Sequence, residues 1–161
     1  MPPDIAALAA ETVATLRTRK LTVATAESCT GGLIAGALTS IPGSSDVVYG
    51  GFVTYANAAK ILMVGVSPEL LREYGAVSEP VARAMAEGAR LMGGVDIAVA
   101  VTGIAGPDGG SVAKPVGLVH FAVATLEETM HLRKNFDPGW SRDQIRHASV
   151  VEALRLVGTA L

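Results

Sequence analysis

The stretch Val95–Thr102 constrains the fold most, because almost every residue in it is apolar. A strand of that kind has to be covered on both faces, which calls for a parallel or mixed sheet between helices. The surrounding segments supply both element types. Ile5, Leu8, Ala9, Val13 and Leu16 form a helical stripe over 5–17, with Asp4 as the expected N-cap. Leu21–Ala26 alternates apolar residues with Thr and predicts a strand. Leu33, Ile34, Ala37, Leu38 and Ile41 form a helical face ended by Pro42-Gly43, and Asp46–Tyr55 predicts a second strand. Asn57 is the expected cap of a short helix through Val64, and Ser67-Pro68 opens another. Ser78-Glu79-Pro80 starts a longer helix that Gly93-Gly94 stops. After the apolar strand, Val116–Thr125 and Met130–Phe136 predict a hairpin, and Ser141-x-x-Gln144 is a capping box for a last helix reaching Val157. The fold class is α/β: one domain, residues 1–161, with a mixed β-sheet flanked by helices.

Composition narrows what such a domain does. With 161 residues, half of them apolar, the chain has enough material for one core; domains of ~150 residues bury ~70% of their unfolded surface. Thirteen Lys and Arg against fifteen Asp and Glu leave a net charge of −2, so no basic field exists to hold a nucleic acid. One cysteine and three scattered histidines make neither an internal disulfide nor a metal motif, so no metal and no cofactor is expected. No apolar run reaches the ~18 residues of a membrane span, and the start lacks the basic region of a signal peptide. A cytoplasmic protein follows as the expectation, and so apolar a chain is expected to form a homo-oligomer. There are 26 alanines and 18 glycines but only 4% aromatic residues. Such a chain can line a pocket with backbone, which suits a small ligand better than a peptide.

Three segments gather polar groups at the ends of apolar elements, where α/β domains hold ligands. The first is Thr25-Ala26-Glu27-Ser28-Cys29-Thr30-Gly31-Gly32, between a strand and a helix. N–H groups at such a helix start suit a phosphate or a developing oxyanion, and Gly31 and Gly32 leave room for close approach. Ser28 is a candidate nucleophile; a simple N-cap role for Ser28 or Thr30 is the commoner use of such residues at a helix start, and no G-x-S-x-G elbow is present. Cys29 is the competing nucleophile. The second segment, Gly50 to Lys60, puts Lys60 in the first turn of a helix, where the dipole favours a neutral amine able to take a proton from serine. An exposed, solvated lysine is the alternative. Tyr55 fits a proton relay, a stacking partner or plain packing. The third segment is the loop Gly103–Gly110, which matches neither a Walker loop nor a dinucleotide fingerprint and fits a backbone wall for a mononucleotide or an ordinary tight loop equally well. Arg142 would pair with a phosphate or stand in solvent. Nothing in the spacing links His120, His131 or His147 to a nucleophile.

Read together, T-A-E-S-C-T-G-G, G-G-F-V-T-Y-A-N-x-x-K, G-A-V-S-E-P and T-G-I-A-G-P-D-G-G-S-x-x-K-P-V-G closely resemble the C-terminal domain family of the competence/damage-inducible protein CinA. That domain also exists as a stand-alone nicotinamide-nucleotide amidase. The resemblance runs from about Leu21 to the chain end. It implies hydrolysis of nicotinamide mononucleotide to nicotinate mononucleotide and ammonia. It also implies Ser28, Lys60 and Tyr55 as the catalytic set, and Thr30, Gly31, Gly32, Thr102, Gly103, Ala105, Gly106 and Arg142 as the substrate-binding set. A mononucleotide-binding regulatory module without turnover is the alternative.

Overall fold

The computed structural model describes every residue from Met1 to Leu161. Its sheet contains β1 (Val23–Glu27), β2 (Val48–Val53), β3 (Ile97–Gly103), β4 (Leu118–Ala124) and β5 (Thr129–Asn135). The order across the sheet is β2-β1-β3-β4-β5. β1 runs parallel to both neighbours, while β4 is antiparallel to β3 and to β5, so the mixed sheet and the final hairpin are as expected. The helices are α1 (Pro3–Arg19), α2 (Leu33–Thr39), α3 (Asn57–Val64), α4 (Pro68–Tyr74), α5 (Glu79–Gly93) and α6 (Arg142–Thr159). None is long and apolar enough to cross a membrane.

The two faces of the sheet are covered differently. α1, α2 and α6 pack over a core that includes Leu16, Ile34, Phe121 and Leu154. On the other face, nine of the fourteen buried apolar residues are alanine, so α5 lies close against the strands with little side chain between. α3 in turn lies almost backbone to backbone on α5. A Cβ on Gly88 would sit 1.8 Å from the Val64 carbonyl oxygen, so only glycine permits this approach. That contact fixes the helix that carries Lys60.

Several local features differ from the sequence reading. Asp4 lies inside α1 rather than capping it, accepting from the Ile5 N–H at 2.9 Å and facing His147. α3 has Ala56 at its N-cap and starts at Asn57, whose side chain caps nothing. Extended character ended the second strand too late, because residues 54–56 leave the sheet to begin the connection to α3. β2 also carries an irregularity: Val23 pairs with Val48 but Ala24 pairs with Gly50, leaving Tyr49 as an extra residue on this edge strand. By contrast, the capping box at Ser141 and Gln144 is complete.

Because β1, β2 and β3 are mutually parallel, their carboxyl ends lie at one edge of the sheet. The chain leaves β1 toward α2 on one face and leaves β2 toward α3 on the other. This divergence opens a crevice beyond the strand ends, the usual ligand position in parallel sheets. The three polar segments meet there.

Candidate active site

The turn Ser28–Gly32 follows the central strand β1 and is pinned from both sides. The Ser28 N–H donates to the Val101 carbonyl of β3 at 2.9 Å, and the Thr54 N–H beyond β2 donates to the Glu27 carbonyl at 2.8 Å. Gly31 and Gly32 have φ of +61° and +101°, which lets the chain reverse tightly into α2. Neither Ser28 nor Thr30 is the helix cap; Gly32 holds that position. The Glu27 carboxylate, fully buried, performs the capping instead. It accepts from the N–H groups of Ile34 and Ala35, each at 2.9 Å, and from the Thr25 hydroxyl at 3.0 Å. The start of α2 is thus neutralised internally. The Gly31 N–H is also taken, by the Ser28 carbonyl. Within the turn, the N–H groups of Cys29, Thr30 and Gly32 have no acceptor in the protein.

Lys60 is 1% exposed, and its amine lies 3.1 Å from Ser28 Oγ. It also donates to the carbonyls of Thr54 at 2.8 Å and Tyr55 at 3.3 Å. No carboxylate pairs with it. Burial therefore holds its pKa below the ordinary lysine value, since no carboxylate offsets the loss of hydration of a cation. Three oxygens thus surround the amine: the two carbonyls accept from it in either charge state, while Ser28 Oγ accepts from the ammonium and its hydroxyl donates into the lone pair of the neutral amine. The solvated-lysine alternative is excluded.

The remaining residues divide into those that meet and those that do not. Tyr55 is 62% exposed, and its phenol oxygen accepts from Arg142 at 3.2 Å; the same guanidinium donates to the Gly106 carbonyl at 2.9 Å. Arg142 thus bridges the ends of β2 and β3 at the mouth of the crevice. Thr102 is buried and donates its hydroxyl to the Ala76 carbonyl at 2.8 Å, tying down the loop before α5. Gly103 packs against Val119, and the Ala105 side chain belongs to the α6-side core, so these two offer a ligand only main chain. Cys29 is buried in that same core, and burial pushes its thiol up to about 11, which works against a thiolate at this position. The histidines are engaged elsewhere: His147 with Asp4, and His120 with His131.

Sequence reasoning missed two residues that shape this turn. Glu27 was visible only as part of a motif; a carboxylate ending an apolar strand just before a helix is the signal. Arg146 donates from Nε to the Cys29 carbonyl at 3.1 Å and from its terminal nitrogen to the Thr30 carbonyl at 3.3 Å. Its signal was the four-residue spacing from Arg142, which puts both cations on one side of α6.

Fold and geometry together define an α/β domain with a serine–lysine pair at the crevice of its parallel half. The family model described as the CinA C-terminal domain matches residues 5–161, and the chain belongs to that family. A CinA-like protein of Synechococcus sp. is 53% identical over 154 residues, covering 96% of this chain and 37% of that protein. A CinA-like protein of Anaeromyxobacter sp. is 52% identical over 149 residues, covering 92% and 36%. The chain thus spans little more than a third of these curated relatives. Among solved structures, the competence/damage inducible protein CihA from Agrobacterium tumefaciens superposes with a TM-score of 0.96 at 49% identity, covering 99% of this chain and 96% of that one. A CinA superfamily protein from Escherichia coli gives 0.93 at 33% identity, covering 100% and 93%.

Proposed function

We propose that this chain is a metal-independent amidohydrolase that converts nicotinamide mononucleotide to nicotinate mononucleotide and ammonia, in pyridine-nucleotide recycling. The observation that carries the reading is the 3.1 Å approach of the buried Lys60 amine to Ser28 Oγ. Lys60 takes the Ser28 proton as the oxygen attacks the carboxamide carbon, which the pyridinium ring makes electron-poor. The free N–H groups of the Ser28–Gly32 turn receive the oxyanion; losing one such donor typically costs ~3 kcal/mol of transition-state stabilisation. Protonated Lys60 then delivers its proton to the departing ammonia. Water, deprotonated by the regenerated amine, attacks the acyl-serine, and Lys60 returns that proton to the Ser28 oxygen as the ester bond breaks and the nicotinate nucleotide leaves. Tyr55 and Arg142 stand at the crevice mouth, where the ring offers a stacking surface for the cationic pyridinium and the guanidinium a partner for the phosphate. The loop through Gly106 supplies main-chain groups to the nucleotide. Its substrate would place the enzyme in the cytoplasm, and the exposed Tyr49, Leu62 and Leu91 are candidates for contact between copies.

Ammonia release from nicotinamide mononucleotide, measured with and without a chelator, tests the reading. Steady release in both conditions, abolished in Ser28→Ala, is the expected result. Binding of the nucleotide without ammonia would make the domain a regulatory module instead.

A further inference from the structure

The nucleophile turn is gripped from the side opposite its lysine. α6 belongs to the core layer with α1 and α2, whereas Lys60 comes from α3 on the other face of the sheet. From α6, Arg146 reaches two consecutive carbonyls of the turn, those of Cys29 and Thr30. A trans peptide unit directs its C=O and N–H in opposite directions. The unit whose carbonyl is Cys29's carries the Thr30 N–H, so drawing that carbonyl toward α6 turns the N–H away from α6, toward the Lys60 side. That N–H has no acceptor in the protein. The neighbouring Gly31 N–H, in the unit whose carbonyl is Thr30's, is already bonded to the Ser28 carbonyl at 3.0 Å. A cation on the Cys29 carbonyl also polarises its peptide unit and makes the Thr30 N–H a stronger donor.

We propose that Arg146 is a positioning residue that aims the Thr30 N–H at the oxyanion formed on Ser28 acylation, acting through the Cys29 carbonyl rather than by touching substrate. The proposal rests on the amidase reading above. It separates two arginines one helical turn apart. Arg142 faces the crevice mouth, where a nucleotide would meet it, while Arg146 spends two of its donors on main chain and is only 28% exposed. A two-pronged planar guanidinium suits that task and an ammonium does not.

The test compares Arg146→Ala and Arg146→Lys in the full chain, using nicotinamide mononucleotide turnover, the thermal midpoint and the rate at which a fluorophosphonate labels Ser28. Loss of an oxyanion donor typically costs ~10²–10³ in kcat, and a loosened donor belongs at the lower end. For Arg146→Ala the expected result is a kcat roughly 100-fold lower with KM within about twofold, and labelling slowed in parallel. Millimolar guanidinium should restore part of the rate, and Arg146→Lys should fall between wild type and Arg146→Ala. The pH profile should keep its midpoint, since Lys60 is untouched. A raised KM with kcat retained would make Arg146 a phosphate ligand and overturn the proposal. So would a lower midpoint with full activity per folded molecule. If wild type releases no ammonia but does label, the amidase reading fails alone: slowed labelling in Arg146→Ala upholds the positioning role, and equal labelling overturns it. Failure of wild type both to release ammonia and to label overturns both.

Discussion

Two buried basic pairs sit against the same helical layer, one in each half of the sheet. Ser28 and Lys60 lie where the parallel strands end. In the antiparallel half, His120 Nδ1 is 2.9 Å from His131 Nε2, and His131 Nδ1 lies 3.5 Å from a Glu79 carboxylate oxygen at the start of α5. Desolvation lowers the pKa of a base in each pair, taking His120 down to about 4. By that measure alone the histidines look the more functional. Their surroundings say otherwise. His120 hydrogen-bonds a second imidazole, with Arg133 and Lys114 adding like charge and Glu79 partly offsetting it. Lys60 instead contacts a hydroxyl beside a turn with unused N–H donors. A perturbed base marks a site only where a group it can deprotonate and a place for developing charge accompany it.

The sharpest way to break this comparison is to remove the lysine amine. Lys60→Met should lower kcat by on the order of 10³–10⁴ while keeping the fold, because an apolar side chain of similar length replaces a buried amine that has no carboxylate partner. Lys60→Arg should be equally inactive, since a guanidinium does not deprotonate. Near-normal ammonia release from either variant would remove Lys60 from the chemistry. The same amine predicts a pH profile. kcat/KM should rise with pH through the lowered pKa of Lys60, with a midpoint below the 10.5 of an ordinary lysine. A midpoint at the ordinary value in an initial-rate titration would contradict its burial as a neutral base.

A less direct break acts through the scaffold. Gly88→Ala would drive a Cβ into the Val64 carbonyl and push α3 off α5. Overpacking of this kind typically costs ~1–3 kcal/mol, measurable by urea unfolding. Turnover per folded molecule should fall further, because Lys60 moves with α3. Unchanged turnover would show that the 3.1 Å contact tolerates helix displacement.

How legible these features were depends on how local their causes are. The helical stripes, the doubly covered β3 and the Ser141 capping box follow from short-range pattern, and the structure has them. Ser28 and Lys60 were visible as candidates, but their contact was not, because 32 positions separate them and only the approach of α3 to α5 brings them together. Asp4 and Asn57 carry good cap side chains, yet the chain enters α1 two residues early and α3 one residue early, and the side chains serve elsewhere or nowhere. Glu27 caps α2 from seven residues before, outside any capping-box spacing. Arg146 was hidden for a related reason: its partners are carbonyls more than a hundred positions away, and carbonyls have no sequence signature.

The histidine pair sharpens the comparison through stability rather than rate. Both imidazoles have pKa values lowered in the fold, so the unfolded chain binds more protons and stability falls as pH drops. For His120 the loss begins near 6.5 and runs down to about 4. His120→Gln keeps a hydrogen-bonding side chain beside His131 but does not titrate. It should flatten the acid limb of stability across that window in urea titrations, and leave ammonia release at neutral pH within about twofold, the range for a change away from the reacting groups. A large loss of turnover would place the antiparallel half in the chemistry after all.

The smallest effect is expected at Thr30, whose hydroxyl is fully buried beside the nucleophile and has no hydrogen-bond partner. An unsatisfied buried hydroxyl forfeits hydration without repayment, on the order of 1–3 kcal/mol. Thr30→Val replaces it with a methyl group of nearly the same shape. Stability by urea unfolding should therefore stay within about 1 kcal/mol of wild type or rise. A loss of several kcal/mol would mean that the hydroxyl is satisfied in solution, and that the nucleophile turn contains a second anchored group besides Glu27. The contrast with the histidine pair would then narrow, since the buried side chains of both halves of the sheet would be paired, leaving only main-chain N–H groups of the nucleophile turn free.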